Sequence, residues 1–307
     1  MTYTNNFILI FICALTFAFC LSSCENFFET TIDIDAPELE PKIVVNTFIN
    51  IEQDTVGIFV HPNQALASDR DFDFDAIDAE ITLEDLSNSS VIAIPKVTDL
   101  QNEQKPYNYI NSNVDTDFFN AENEYLLSVR DLSADYPTAT AQVSFPSKSV
   151  IKNIDFLYEG GIREDGDEAS LFTITFDDPA DEINYYEVGI VSNYDPEDRF
   201  SRFEFISAID LAASKGFEDD YILISDASFN GEEKSIEIKI FRQSVDDIPF
   251  HLVWRDISEE YFKYSKTLRA QDEFGDNPFT SIVQVFTNVE NGLGIVSLYQ
   301  EQIIPAN

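Results

Sequence analysis

The chain is poor in the residues that most often carry chemistry. Its 307 residues include three cysteines, two histidines, one methionine and one tryptophan. The cysteines are Cys13, Cys20 and Cys24, so everything after them lacks a thiol for a disulfide, a thiolate metal site or a nucleophile. The two histidines, His61 and His251, are too far apart in sequence to form a metal-ligand motif. The fold must therefore be held together by an apolar core.

Basic residues are also scarce. Lys and Arg number 18 against 57 Asp and Glu, which gives a formal net charge of −39. A surface this negative repels nucleic acid and favours cations or basic partners. No Gly-x-Ser-x-Gly elbow, phosphate-cradling glycine loop or His-Glu-x-x-His motif is present. We therefore expect no nucleic-acid partner and no enzymatic activity, although a hydrolase that uses two carboxylates would need no such motif.

The chain has one long apolar run, over residues 7–19, and nothing later is apolar for long enough to cross a bilayer. A lipoprotein cleavage box follows this run, formed by Leu21, Ser22, Ser23 and Cys24. The spacing predicts that residues 1–23 are a signal peptide and that Cys24 carries fatty-acyl chains such as palmitate, which would anchor the protein to a membrane. Residues 1–6 lack Lys and Arg, which leaves an uncleaved membrane anchor as the alternative.

Beyond Cys24 the pattern predicts a mainly β protein. Residues 24–41 are acidic and contain Pro37 and Pro41, which indicates a lipidated tether that acts as a surface-export signal or as a solvated linker. Short alternating apolar runs then predict two tandem β-sandwich domains. The first, over 42–147, is immunoglobulin-like or transthyretin-like, and the second, over 148–307, is β-rich. The early strands are predicted at 43–49, 79–86 and 124–130, with one hairpin that pairs 79–86 with 91–97 and another that pairs 124–130 with 138–145.

Two helices are predicted within the second domain. Ser258 suits an N-cap, with Glu259 and Glu260 in the first turn of a helix that runs to about Arg269. Its inner face would carry Tyr261, Tyr264, Ser265 and Leu268. Residues 208–215 indicate a short helix, and residues 281–287 and 294–300 indicate the last two strands.

An acidic segment is the main candidate for a metal site. Four aspartates stand at alternate positions and a glutamate follows them: Asp69, Asp71, Asp73, Asp75 and Glu80. Such oxygens suit calcium, but Phe74 occupies the place where a calcium loop needs glycine. The alternative is the exposed face of a strand or loop. A second acidic cluster, at residues 164–168, has the same two interpretations. We expect no other cofactor.

Aromatic residues offer another route to binding. Those near predicted loops could stack on a sugar or a peptide, and packing in the core is the alternative interpretation. They are Tyr185, Tyr186, Tyr194, Phe200, Phe203 and Phe205.

The C-terminal region carries a family pattern. It consists of Tyr261-Phe262-Lys263-Tyr264, then Asn277-Pro278-Phe279, and last the glycine-containing stretch with Asn288, Asn291, Gly292 and Gly294. In this order it resembles a family of Bacteroidota outer-membrane lipoproteins of unknown function, whose genes often lie beside those of TonB-dependent receptors. Two positions depart from that family: Asn46 stands where glycine is usual, and Val296 where an aromatic residue is usual.

The resemblance implies a lipid-anchored outer-membrane protein, facing the cell surface or the periplasm, and a possible partner of a receptor barrel. It supplies no reaction. Three hypotheses follow: an accessory protein that captures or gates a ligand for such a receptor, a structural or adhesive surface lipoprotein, and a calcium-dependent or carboxylate-based hydrolase. The motif residues, from Asn277 to Gly294, have either a structural role or a place in a partner interface.

Overall fold

A computed structural model describes residues 40–63, 77–97, 107–162, 168–180, 182–192, 194, 202–203, 206–208, 213–216, 220–240, 249–274 and 283–306. Over these ranges the chain is mainly β. In chain order the strands are β1 Ile43–Asn50, β2 Val56–Pro62, β3 Ala79–Asp85, β4 Ser90–Ala93, β5 Tyr109–Asn111, β6 Glu124–Asp131, β7 Ala139–Ser144, β8 Val150–Ile162, β9 Glu168–Asp177, β10 Tyr185–Ser192, β11 Arg202–Phe203, β12 Ile206–Ala208, β13 Ala213–Lys215, β14 Tyr221–Ser225, β15 Glu233–Ile240, β16 Phe250–Ile257 and β17 Gly292–Ala306. A 3₁₀ turn spans Thr116–Phe118, and helix α1 spans Glu259–Phe274.

Alternation of apolar side chains forms the early strands. In β1, Ile43, Val45, Thr47 and Ile49 are buried and point to one face of the sheet, while the residues that alternate with them, 44, 46 and 48, are partly exposed. The predicted hairpins are confirmed, since β3 pairs with β4 and β6 pairs with β7, both antiparallel. The alternation of apolar residues along the sequence therefore accounts for where these strands begin and which of their faces is buried.

The strands form three sheets. The largest has nine strands in the order β13-β14-β10-β16-β17-β1-β2-β5, with β11 paired to β10. The other two have four strands each, in the orders β12-β15-β9-β8 and β4-β3-β6-β7. Strand β17 connects the first described strand to the C-terminal half of the sheet, because it lies parallel to β1 on one side and antiparallel to β16 on the other.

Two apolar cores lie against the nine-stranded sheet. One combines β1, β2, β5 and β17 with the sheet containing β3, β6 and β7. The other combines β10, β14 and β16 with the sheet containing β9, β12 and β15, and includes the buried Trp254. Val296 and Leu298 of β17 belong to the first core, while Ile304 and Ala306 pack against the second. Residues from the C-terminal end therefore complete the N-terminal core.

Helix α1 begins where the sequence predicts. Ser258 caps it, since the Tyr261 backbone N–H donates to Ser258 Oγ at 3.3 Å. The helix ends at Phe274 rather than near Arg269. Among the described residues, no helix is long and apolar enough to cross a membrane.

Two local predictions are wrong. The described residues of the segment predicted as a short helix, 208 and 213–215, lie in strands. Strand β13 pairs with β14, and β12 pairs with β15, so sheet pairing outweighs the local helix propensity. The predicted strand at 281–287 is not formed either, because residues 283–289 belong to no strand. The boundary between 147 and 148 stays a prediction.

Candidate functional site

A row of charged side chains crosses three neighbouring strands of the nine-stranded sheet. Glu187 of β10 lies opposite Arg255 of β16, which lies opposite Glu301 of β17. Arg255 Nη1 is 2.7 Å from Glu187 Oε2, and Arg255 Nε is 2.7 Å from Glu301 Oε2. The exposed fractions of the three side chains are only 19% for Arg255, 6% for Glu187 and 14% for Glu301. We call these three residues the charged triad.

Tyrosines surround the charged triad. The guanidinium carbon of Arg255 lies 4.8 Å from the Tyr221 ring centroid and 5.3 Å from that of Tyr299, distances that suit cation–π attraction. The Tyr261 hydroxyl, on α1, donates to Glu187 Oε2 at 2.8 Å. The helix is therefore bonded directly to the charged row on the sheet.

The surroundings fix the protonation states of this cluster. Burial raises the pKa of Tyr299 to about 12. Burial, together with the Glu187 carboxylate, raises the pKa of Tyr261 well above its usual value. Burial alone would lower the pKa of Arg255, but the charge of Glu187 and the neighbouring tyrosines raise it well above its usual value. At neutral pH these two tyrosines are therefore neutral and Arg255 is charged.

Helix α1 lies over this face of the sheet and is held at both ends. At its start the Tyr185 hydroxyl donates to Glu259 Oε1 at 3.2 Å. Near its end Arg269 Nη1 donates to the Gly216 carbonyl oxygen at 2.8 Å. Thr267 Oγ1 also accepts a bond from the Phe286 backbone N–H at 2.9 Å. These bonds fix helix α1 in place over the charged triad.

A cavity of about 490 Å³ lies between helix α1 and the sheet, and we call it the α1 cavity. Its volume is in the range of small-molecule sites. Its walls are aromatic, apolar and polar: they are formed by Asn46, Phe48, Glu187, Tyr221, Arg255, Tyr261, Tyr264, Ser265 and Leu268. The four residues predicted for the inner face of the helix all line it, so the predicted face is the one turned to the sheet.

The α1 cavity contains a hydrogen-bond acceptor that no described residue uses. Both bonds to the Glu187 side chain fall on Oε2, from Arg255 and Tyr261, which leaves Oε1 for another donor. Glu187 Oε1 is therefore suited to a ligand that carries N–H or O–H groups. Asn46 Oδ1 also has no hydrogen-bond partner, but it is fully buried and lies against Gly294 rather than facing the cavity.

The glycine-containing motif lies at the start of β17, where that strand pairs with β1. Gly294 has a φ of +100°, and a Cβ there would lie 2.2 Å from the Val45 carbonyl oxygen. A Cβ on Gly292 would lie 2.8 Å from the Ile43 carbonyl oxygen. Glycine is therefore required for the close approach of the two strands. Asn291 also has positive φ, at 56°.

Asn288 holds the same strand from the other side. Its Nδ2 donates to the Val296 carbonyl oxygen at 2.7 Å, and its Oδ1 accepts from the Val296 backbone N–H at 3.0 Å. This pair of bonds is a structural use of the residue. Asn277, Pro278 and Phe279 lie outside the described residues.

The predicted metal ligands do not come together in the described part of the chain. Asp69, Asp71, Asp73 and Asp75 lie outside it. Glu80 is described, and it forms an ion pair with Arg130 across β3 and β6. Among the described residues, no group of three or more His, Cys, Asp or Glu side chains is placed to hold a metal ion. Leu21, Ser22, Ser23 and Cys24 also lie outside the described residues.

The predicted binding aromatics whose side chains are described pack against other residues, and only Tyr186 is buried. Phe200 and Phe205 lie outside the described residues. Tyr186 is fully buried in the second core. The Tyr185 ring lies 4.7 Å from that of Phe262, between centroids.

The sequence analysis did not predict the charged triad. Glu187 is the lone charge in the strand YYEVGIVS, and that was the available signal. Arg255 and Glu301 carry no such signal, because Asp256 adjoins Arg255 and glutamines flank Glu301.

Fold and site together define a β-rich protein with a tyrosine-lined, ligand-sized cavity. The model of a protein family described as a domain of unknown function (DUF4249) matches residues 29–303, and the chain belongs to that family. The matched region includes all three sheets except the last residues of β17, and the whole of α1. A search of curated proteins finds no match.

Proposed function

We propose that this protein is a non-enzymatic binding protein, which captures a small ligand in the α1 cavity on behalf of a TonB-dependent receptor in the outer membrane. The observation that carries the proposal is the cavity itself. It combines four aromatic side chains, a largely buried ion pair and one carboxylate oxygen, Glu187 Oε1, that accepts no described hydrogen bond. Such a mixture of apolar walls and a few placed polar groups is typical of ligand sites.

The ionised groups of the cavity favour binding over catalysis. Glu187 is held by Arg255 and by the Tyr261 hydroxyl, and Arg255 is held in turn by Glu301. Side chains held by one another in this way are fixed in one arrangement, which suits recognition of a ligand in one orientation. The geometry supports a fixed recognition surface.

Features of the sequence support the proposed location in the outer membrane and the proposed receptor partner. The cleavage box before Cys24 supports a lipid anchor, and the acidic tether over 24–41 supports export to the surface. The resemblance to lipoproteins encoded beside TonB-dependent receptors supports a receptor barrel as partner. The two cores, each between the nine-stranded sheet and a smaller sheet, support two sandwich-like halves that share one sheet.

A pull-down from the host tests this proposal. The C-terminally tagged protein would be isolated from gently solubilised outer membranes and its partners identified by mass spectrometry. We expect stoichiometric recovery of a TonB-dependent barrel. A Cys24→Ala variant, which cannot be lipidated, is the control and should be absent from the membrane fraction. Recovery of the lipoprotein alone across several detergents would refute the receptor role and favour a structural or adhesive surface protein.

A further inference from the structure

Buried oxygen atoms without hydrogen-bond donors lie together at one end of the second core. Asp226, which follows β14, is fully buried, and neither oxygen of its carboxylate has a hydrogen-bond partner. Asn184, which precedes β10, is 3% exposed, and its Oδ1 has no partner either. These three atoms are half of the six buried side-chain atoms that have no partner in the described part of the chain. Leaving such atoms unsatisfied is costly.

Strand pairing places these oxygens on the same face of the sheet. The pairing of β10 with β14 continues one position beyond the two strands, where the Asp226 backbone N–H donates to the Asn184 carbonyl oxygen at 3.1 Å. Residues opposite each other share a face, with Cβ atoms about 5 Å apart. That face is the inner one, because Tyr186, two residues after Asn184, lies in the second core. Asn184 Nδ2 donates to Glu182 Oε1 at 3.3 Å, which leaves Oδ1 on the buried side of the amide.

A second carboxylate lies beside this pair. Asp178, which follows β9 and is 7% exposed, accepts hydrogen bonds from the Tyr186 hydroxyl and, at 2.7 Å, from the Gly231 backbone N–H. Burial, and then the charge of Asp178, raise the pKa of Asp226 to about 6, so the two carboxylates are close neighbours and are both largely ionised at neutral pH. None of their described partners is a cation. Two buried negative charges are therefore left without a counter-charge.

The donor atoms are those that a hard divalent cation prefers. Carboxylate and amide oxygens suit calcium and magnesium, while the softer metals prefer sulfur or imidazole ligands. An ion of charge +2 balances the two carboxylates. Magnesium keeps several of its water molecules, whereas calcium accepts a shell made of protein oxygens, so the burial of the three side chains favours calcium. Only two acids are needed, which is compatible with the absence of any three-membered cluster of His, Cys, Asp or Glu from the described region.

We propose that Asp178, Asp226 and Asn184 bind a calcium ion. Strand β9 belongs to a four-stranded sheet, and β10 and β14 belong to the nine-stranded sheet, so the ion stabilises the contact between the two layers of the second core. The site is separate from the α1 cavity, because Glu187, which lines the cavity, follows Tyr186 directly and points to the other face of β10. The inference therefore goes beyond the proposed function and does not depend on it.

Thermal unfolding of the full chain tests the inference. The cation-free protein, prepared with EDTA, is compared at about pH 7 with protein in calcium chloride or magnesium chloride. The measurements are made in about 0.5 M salt, which screens attraction of ions to the acidic surface. Calcium at about a hundredfold excess over its dissociation constant should raise the unfolding midpoint by about 5 °C, and magnesium should raise it less.

Variants locate the ion. In EDTA, Asp226→Asn should be more stable than wild type, because it removes a buried charge, but it should lose most of the calcium-induced shift. Asn184→Ala keeps both carboxylates, so it should weaken calcium binding about tenfold and halve the shift. The control is Asp117→Asn, which removes an exposed acid and should keep the full shift.

A wild-type protein whose unfolding midpoint is the same in calcium and in EDTA would overturn the inference, since a shared proton or a water molecule would then satisfy these oxygens. A shift that persists undiminished in Asp226→Asn and Asn184→Ala would also overturn it, because the calcium would then lie on the acidic surface. An equal shift with magnesium would contradict the assignment to calcium.

Discussion

Asp226 is the residue whose replacement tests the physical account of the second core most sharply. It follows β14, is completely buried, and neither oxygen of its carboxylate has a hydrogen-bond partner. Its neighbour Asp178 accepts bonds from the Tyr186 hydroxyl and from the Gly231 backbone N–H. Burial, and then the charge of Asp178, raise the pKa of Asp226 to about 6. The folded protein therefore favours the protonated, uncharged form of Asp226.

The sign of the pH effect follows from this raised pKa. Asp226 contributes stability that is fully present below its unfolded pKa of 3.8 and is lost as pH rises through about 6. At about 1.4 kcal/mol per pH unit, the loss approaches 3 kcal/mol at neutral pH. In Asp226→Asn, the asparagine side chain has nearly the same shape as the aspartate and is uncharged at every pH. It should therefore raise the free energy of unfolding at pH 7 by about 2 kcal/mol and flatten its decrease between pH 4 and 7.

Urea unfolding followed by the fluorescence of Trp254, the sole tryptophan of the chain, provides the assay at each pH. Part of the pH dependence should persist in the variant, because burial also raises the pKa of Asp256 to about 6. Asp117→Asn, at an exposed acid, is the matched control and should change little. A less stable Asp226→Asn protein at pH 7, with an unchanged pH slope, would refute the reasoning.

Two further predictions concern backbone geometry and a turn. Gly294→Ala should lower the free energy of unfolding by at least about 2 kcal/mol in chemical denaturation, because the added Cβ meets the Val45 carbonyl oxygen and φ is positive; an unchanged midpoint would contradict this. Burial raises the pKa of Asp131, but bonds from Ser133, Asp135 and Tyr136 outweigh it and leave the pKa below its usual value. That stabilisation is present above pH 3.8 and is lost as pH falls through the lowered value. Asp131→Ala should therefore cost about 2–3 kcal/mol at pH 7, and the cost should become smaller as the solution is acidified below pH 3.8. A cost that does not decrease on acidification would be inconsistent with this account.

Local pattern predicted much of the secondary structure. Alternation located β1, β3 and β6, and the Ser258 cap with the spacing of Tyr261 and Leu268 located α1 and its inner face. These features depend on neighbours a few residues apart, which a sequence displays directly.

The site could not be predicted in the same way. Glu187, Arg255 and Glu301 meet only because β10, β16 and β17 pair in one register, and register between distant strands is set by packing of the whole core. The parallel pairing of β1 with β17 is non-local for the same reason. The short helix expected at 208–215 failed because tertiary pairing outweighed a weak local preference.

Native mass spectrometry of the protein isolated from its own host tests the central claim, that the α1 cavity holds a ligand, most directly. The comparison is between wild type, Leu268→Trp, which fills the cavity, and Gln271→Trp, which places the same side chain at an exposed position on α1. The account predicts one bound small molecule in wild type and in Gln271→Trp, and none in Leu268→Trp. A bound molecule retained equally by Leu268→Trp, or no bound molecule in any of the three proteins, would contradict it.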